Sequence, residues 1–281
     1  MEALVTSARR RESVLVAGID PHPGRLPPQI SARDVPGHEA VREFCLGILE
    51  AVEPEAAAVK LQAAFFERLG PEGMAVYGEL ARAANELGLP VISDVKRGDI
   101  GPVAAAYAEA HLAVYGAACV TVNPYMGADA VLPFLEEARR LGRGGGAFSL
   151  VATSNPSAWE LQNAGEPPLF ERAARLVAEL GESSGGYSDA GAVVGATRPE
   201  IGARVRELLP RALFLVPGFG AQGGSAQSIA NMLDERGGGV LVNSSREILY
   251  AYEPGEGDYK TLARRAAARA KESLRAAGAR P

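Results

Sequence analysis

Asp94, Lys96 and Asp99 stand as a D-x-K-x-x-D pattern in the segment VISDVKRGDIG, Val91–Gly101, at the end of an apolar run. Two carboxylates and an ammonium so close together are costly to desolvate, and a purely structural core would avoid them. The chemistry open to such a set is electrostatic stabilisation and proton transfer. Successive side chains of a strand alternate in face, which puts Asp94 and Lys96 on the same side. Asp99 follows past Gly98, where the chain must turn. A second lysine, Lys60, interrupts the run Ala56–Gln62 (AAAVKLQ), where an apolar residue is expected. The three-residue pattern arises by chance in about 5% of chains of this length, so its surroundings decide its meaning.

Eight short β-rich runs alternate with helical patterns. The runs are Ser13–Asp20, Ala56–Gln62, Pro90–Lys96, Ala118–Asn123, Gly146–Thr153, Ala190–Ala196, Ala212–Pro217 and Gly239–Ser244. The 3.6-residue periodicity predicts helices at Glu39–Val52, Gly70–Gly88, Pro102–Gly116, Ala128–Leu141, Leu169–Gly181, Pro199–Leu209 and Ser225–Asp234. One more starts near Arg246, and a longer one covers Asp258–Ala277. Near-continuously apolar strands alternating with helices define an α/β chain with a parallel sheet buried on both faces. Eight such units in about 250 residues favour a closed (β/α)8 TIM barrel over an open doubly wound sheet.

No repeat, low-complexity tract or linker divides the chain. Residues 1–281 therefore read as a single barrel domain, with the Pro/Gly-rich stretch Pro21–Pro36 as its first βα loop. The last helix carries Lys260, Arg264, Arg265, Arg269, Lys271 and Arg275. Its apolar stripe, Leu262, Ala266, Ala270 and Leu274, is thin. That suits a barrel-covering helix with a solvated basic face better than a membrane-surface helix.

The composition is that of a soluble globular chain, 47% hydrophobic and 22% charged, with a net charge of −5. The acidic balance argues against general nucleic-acid binding, though not against one local phosphate site. Cys45 and Cys119 lie in apolar stretches and read as buried free thiols in a reducing cytoplasm. Met1–Ser13 has no apolar signal core and no apolar run is long enough to span a membrane, so the expected location is cytoplasmic.

In a barrel the C-terminal strand ends and the loops after them form the active site. This rule gathers at one mouth Asp20, Lys60, Asp94, Lys96, Asp99, Asn123, Thr153, Ser154 and Asn155. It adds Gly218–Gly224 with Gln222, and Ser244, Ser245 and Arg246. Taken singly, a strand lysine snorkels and a terminal Asp caps; the convergence makes them a site. The turn GFGAQGG after the seventh strand and Ser-Ser-Arg after the eighth stand where such barrels bind phosphate. Glycines let backbone N–H groups approach phosphate oxygens, and Arg246 can fork onto two of them. His22, His38 and His111 show no metal-ligand spacing, and HExxH and CxxC are absent.

These motifs resemble the orotidine 5′-phosphate decarboxylase family. The matches are GID at Gly18–Asp20, VKLQ with FFE across Val59–Glu67, and DVKRGDIG at Asp94–Gly101. TSNP at Thr153–Pro156, VPGFGAQGG at Val216–Gly224 and VNSSR at Val242–Arg246 complete the set. The KLQ–FFE, KRGDIG, TSNP and VNSSR forms resemble its longer bacterial subfamily, type 2. The resemblance implies decarboxylation of orotidine 5′-phosphate to UMP, the last step of pyrimidine nucleotide synthesis, with no cofactor and no metal. It also implies a homodimer with two shared active sites, where Lys60, Asp94 and Lys96 belong to one subunit and Asp99 reaches in from the other. Lys96 would be the proton donor. Asp20 and Lys60 would contact the ribose, Ser154 the pyrimidine, and Pro217 and Gly218 would line the base pocket. Gln222 and Arg246 would hold the phosphate, beside backbone N–H groups of Gly223 and Gly224, and Ile100 and Ser245 join the substrate-binding residues. One departure stands out: the family's usual threonine near the partner's site is Val103 here, after Pro102, and a valine donates no hydrogen bond.

Two other readings compete. A metal-dependent relative acting on a sugar phosphate needs an acidic ligand near the end of strand two, where Lys60 would repel a cation. A catalytically dead nucleotide-binding regulator is disfavoured by the intact Asp94, Lys96 and Asp99.

Overall fold

The computed structural model describes residues 1–183, 186–219, 226–252 and 257–281. The strands are β1 (Leu15–Ile19), β2 (Ala58–Gln62), β3 (Val91–Arg97), β4 (Cys119–Val122), β5 (Gly146–Ala152), β6 (Ala190–Val194), β7 (Phe214–Val216) and β8 (Val240–Ser244). Each pairs in parallel with its sequence neighbour, and β1 closes on β8. The closed (β/α)8 barrel expected from the alternation is thus the fold, with strand ends moved by one or two residues.

Strand alternation splits the core in two. Val16, Ala58, Ile92, Cys119, Phe148, Val193, Leu215 and Leu241 point inward and fill the barrel. Their neighbours, among them Leu15, Val59, Val91, Val120, Phe214 and Val242, pack outward under the helices.

The helix Glu2–Arg11 has no counterpart among the predicted elements. It plugs the N-terminal end of the barrel, where Met1, Leu4 and Ala8 join the inner cluster. Arg11 anchors it, donating to the Glu53 carboxylate (2.6 Å) and to the carbonyls of Leu87 and Gly88. The apolar residues do recur at helical spacing, but the run Arg9–Arg11 makes the segment look polar and unstructured.

At the other end of the chain, the helix Tyr259–Ala276 covers the barrel with Ala263, Ala266, Ala267, Ala270 and Leu274. Leu262 is only half-buried, so the stripe is shifted from the one expected. Part of its basic face is paired, Lys260 with Glu50 (2.7 Å) and Lys271 with Glu55 (3.4 Å). Among the described residues no helix is long and apolar enough to cross a membrane.

The segment expected as one helix from Pro102 to Gly116 is two. An α-helix, Gly101–Ala108, continues as a π-helical turn, Glu109–Val114. The wider turn buries His111, whose Nδ1 has no hydrogen-bond partner among the described residues. Burial, reinforced by the nearby Arg97, pushes its pKa from 6.5 down to about 4. The native protein therefore keeps His111 neutral where the unfolded chain binds a proton, so stability falls as pH drops from 6.5 toward 4. At about 1.4 kcal/mol per unit, most of this window removes about 2–3 kcal/mol. Chemical denaturation at about pH 7 and about pH 4.5 should show this loss, and His111→Leu should remove most of the difference. An equal loss in the variant would contradict the assignment.

Candidate active site

The barrel's inward-facing stack turns polar at its C-terminal end. Two residues past the apolar layer, Gly18 follows Val16, Lys60 follows Ala58, Asp94 follows Ile92, Thr121 follows Cys119, and Asn243 follows Leu241. Strand register sets Gly18 beside Lys60 and Gln62 beside Asp94. The charged residues are thus the topmost layer of the barrel interior, facing the mouth.

Asp94 is the centre of this layer. Its Oδ2 accepts from Lys60 Nζ (2.7 Å) and Gln62 Nε2 (3.1 Å). Its Oδ1 accepts from Lys96 Nζ (2.5 Å) and Thr121 Oγ1 (3.0 Å). Lys60 Nζ also lies 3.7 Å from Asp20 Oδ1, so charges alternate along Asp20, Lys60, Asp94 and Lys96. Burial alone would raise the Asp94 pKa, but the two ammonium groups outweigh it and hold the carboxylate well below its usual range. For Lys60, burial pulls downward and loses to Asp20 and Asp94, so this lysine stays charged. The two lysines differ in access: the Lys60 side chain is 6% exposed and that of Lys96 45%. Lys60 is a fixed internal cation, whereas Lys96 presents its ammonium to the open mouth.

Asp94 and Lys96 converge as expected, but not through regular alternation. The β3–β4 register shifts between Ser93 and Arg97, and Lys96 has φ 49°, the left-handed region that a lysine seldom occupies. A bulge therefore re-aims Lys96 toward Asp94. The chain does turn after Arg97, yet Gly98 is not at positive φ; that conformation falls on Lys96 and Gly101 (φ 54°). Gly98 instead permits close packing, since a Cβ there would lie 3.2 Å from Asn123 Cβ.

Asp99 stays apart from this array. Among the described residues it forms no ion pair, and its Oδ1 accepts from the Ile100 N–H (2.9 Å). Ile100 and Val103 beside it are exposed, as are Tyr125 and Met126 on the loop after β4.

Around the rim, Asp20 is positioned through its backbone. Tyr250 Oη donates to the Asp20 carbonyl (3.0 Å) and accepts from His22 N–H (2.8 Å). Ser245 leans over Gly18, where a Cβ would lie 2.0 Å from Ser245 Oγ; only glycine fits there. Asn243 Nδ2 donates to the same Oγ (3.1 Å). Arg246 opens the short helix Arg246–Leu249 directly after Ser245. Pro217 and Gly218 (φ 90°) end the seventh strand's approach to the mouth. Gln222, Gly223 and Gly224 lie outside the described residues. After β5, Gln162 accepts from Thr153 N–H (2.9 Å) and donates to Thr153 Oγ1 (2.7 Å), folding back the loop that bears Ser154. Gly195 makes room for Ser154, since a Cβ there would meet Ser154 Cα at 2.9 Å.

Gln62, Thr121, Gln162, Asn243 and Tyr250 are absent from the predicted site. Thr121 and Asn243 had a readable signal, since they share the inward face with Cys119 and Leu241. Gln162 and Tyr250 had none, because loop folding brings them in.

Fold and site together define a barrel enzyme that handles an anionic substrate with a Lys–Asp–Lys array at its C-terminal mouth. The chain belongs to the orotidine 5′-phosphate decarboxylase / HUMPS family, which it matches over residues 14–257. It is 42% identical over 266 residues to the orotidine 5′-phosphate decarboxylase of Rhodopirellula baltica, covering 88% of this chain and 87% of that one. It is likewise 42% identical over 255 residues to the Deinococcus radiodurans protein of that name, covering 89% of each. The solved OMP decarboxylase of Leishmania donovani superposes with a TM-score of 0.80 at 34% identity, over 99% of this chain and 97% of that one.

Proposed function

We propose that the protein is a carboxy-lyase that converts orotidine 5′-phosphate to UMP without a cofactor, the last step of pyrimidine nucleotide synthesis. The carrying observation is the Lys60–Asp94–Lys96 array, in which one ammonium lies 2.5 Å from an ionised carboxylate at the barrel mouth. Loss of the C6 carboxylate leaves an electron pair in the plane of the pyrimidine ring, orthogonal to its π-system and so not spread into it. Stabilisation must then come from fixed charge and a nearby proton. Asp94 beside the substrate carboxylate disfavours that group, and the repulsion relaxes as neutral carbon dioxide departs. The C6–carboxylate bond breaks with its electron pair staying on C6. Lys96 stabilises that pair, transfers one ammonium proton to C6 and regains a proton from water. Lys60, charged between Asp20 and Asp94, keeps Asp94 ionised throughout.

The ribose falls to Asp20 and Lys60; Asp20 Oδ1 is buried with no hydrogen-bond partner among the described residues, ready to accept from a hydroxyl. Ser154 faces the base, with Ile100, Pro217 and Gly218 around it. The phosphate falls to Ser245, Arg246 and the turn bearing Gln222, Gly223 and Gly224. The phosphate is remote from C6, so its binding energy can drive the assembly of the site.

Arg246→Ala should weaken kcat/KM for the nucleotide by about 30- to several-thousand-fold, the cost of a lost charge-assisted contact. Slow decarboxylation of a truncated substrate without phosphate should barely change. Equal damage to both reactions would make Arg246 structural and move the phosphate elsewhere.

We read residues 1–281 as one catalytic domain that works as a homodimer, with Asp99 acting on the partner's site. Support comes from Asp99 standing outside its own subunit's array and from the exposed apolar residues that follow it in the chain, Ile100 being 51% and Val103 48% exposed. The two buried free thiols suit a reducing compartment such as the cytoplasm. The deciding assay is loss of absorbance when purified protein meets orotidine 5′-phosphate in EDTA. Undiminished turnover is expected, because two lysines at this mouth repel a divalent cation. Activity abolished by EDTA and restored by Mg²⁺ would favour the metal-dependent branch of the family.

A further inference from the structure

Thr121 has a task that its place in an apolar strand conceals. It lies in β4, is 1% exposed, and points into the barrel beside Asp94. Opposite it the register is uneven: Ser93 pairs with Val120 and Arg97 with Val122. Asp94, Val95 and Lys96 must therefore all be accommodated against the single residue Thr121. A bulge of this kind leaves backbone N–H groups without ladder partners. Thr121 Oγ1 takes two of them, accepting from Val95 N–H (2.9 Å) and Lys96 N–H (3.0 Å). Its own proton goes to Asp94 Oδ1 (3.0 Å). One donor and two acceptor sites exhaust what a hydroxyl offers.

We infer that Thr121 is a positioning residue for Lys96. A single oxygen holds the main chain of Lys96 in its left-handed conformation and orients the carboxylate oxygen that the Lys96 ammonium meets. Without the hydroxyl, two bulge N–H groups lose their acceptor and Asp94 Oδ1 loses one of its two donors. The lysine can then relax from φ 49° toward the ordinary β region, which carries its side chain away from the substrate carbon. The effect must fall on the chemical step, because Thr121 bonds to Asp94 and to the main chain of Val95 and Lys96, and to none of the residues assigned to phosphate and ribose.

This inference rests on Lys96 being the proton donor. Thr121→Val keeps the shape and removes the hydroxyl; Thr121→Ser keeps the hydroxyl and removes the methyl. Thr121→Val should lower kcat by about 30- to 300-fold, the scale of an ångström-sized misplacement of a reacting group. KM and the affinity for UMP should stay within about threefold, which also verifies that the variant is folded. Thr121→Ser should recover kcat to within about fivefold of wild type. If Thr121→Val does not fold, Thr121→Ala in its place must show the same split between kcat and KM. A hydroxyl-free variant with nearly full kcat overturns the inference, as does a serine variant no better than the valine one. So does a loss confined to KM. Failure of the underlying reading is separable: it would show as high turnover in Lys96→Ala, whatever Thr121 does.

Discussion

Lys96→Ala is expected to lower kcat by about 10⁴-fold or more. On the proposed mechanism the substitution removes a positive charge from the developing carbanion and also the acid that quenches it; each loss alone typically costs two to four orders of magnitude. Binding of UMP should suffer far less, because the ribose and phosphate contacts come from other loops. The buried part of the array should also survive, since Lys60 still pairs with Asp94 at 2.7 Å. Single-turnover measurement with orotidine 5′-phosphate, beside a UMP titration, separates the two effects. Retention of about a tenth of wild-type turnover would exclude Lys96 as the proton donor.

Two inactive variants should restore one another. In the shared-site homodimer proposed above, Lys96→Ala and Asp99→Ala subunits would each leave one part of every site missing. After subunit exchange, a mixed dimer combines intact Lys96 from one chain with intact Asp99 from the other at one of its two sites. Random exchange of equal amounts should therefore regenerate about a quarter of the wild-type sites. Exchange is followed with differently tagged subunits and activity is read in the mixture. Complete exchange without recovered activity would mean that Asp99 serves its own subunit, through a rearrangement bringing it to Lys96.

The strands were legible because each is an apolar run of ordinary length with a turn signal at its end. The site was legible because barrel topology sends every strand end to the same mouth, so Asp20, Lys60, Asp94 and Lys96 could be grouped without knowing their distances. Finer detail was hidden for two reasons. Regular alternation brings Asp94 and Lys96 together on paper, whereas the chain does so through a bulge that only the register of β3 against β4 reveals. Tyr250 reaches Asp20 across 230 residues of sequence, a contact created by closing β8 onto β1. The N-terminal helix escaped notice for the opposite reason: its pattern is local, but three arginines in a row swamp a stripe made of Met1, Leu4 and Ala8.

The charged layer is the top storey of a column whose lower storeys are apolar. Lys60, Asp94 and Thr121 occupy positions that Ala58, Ile92 and Cys119 fill one level down. Nothing in the barrel's architecture demands polarity there, and well-packed hydrophobic residues in place of a buried ion pair are often neutral or stabilising. Catalysis and robustness therefore compete for the same few interior positions. A population evolving under heat alone, with pyrimidines supplied, would have a short route to a tougher barrel, by continuing the greasy column upward until the mouth is sealed. The scaffold keeps its chemistry only for as long as its host needs the nucleotide.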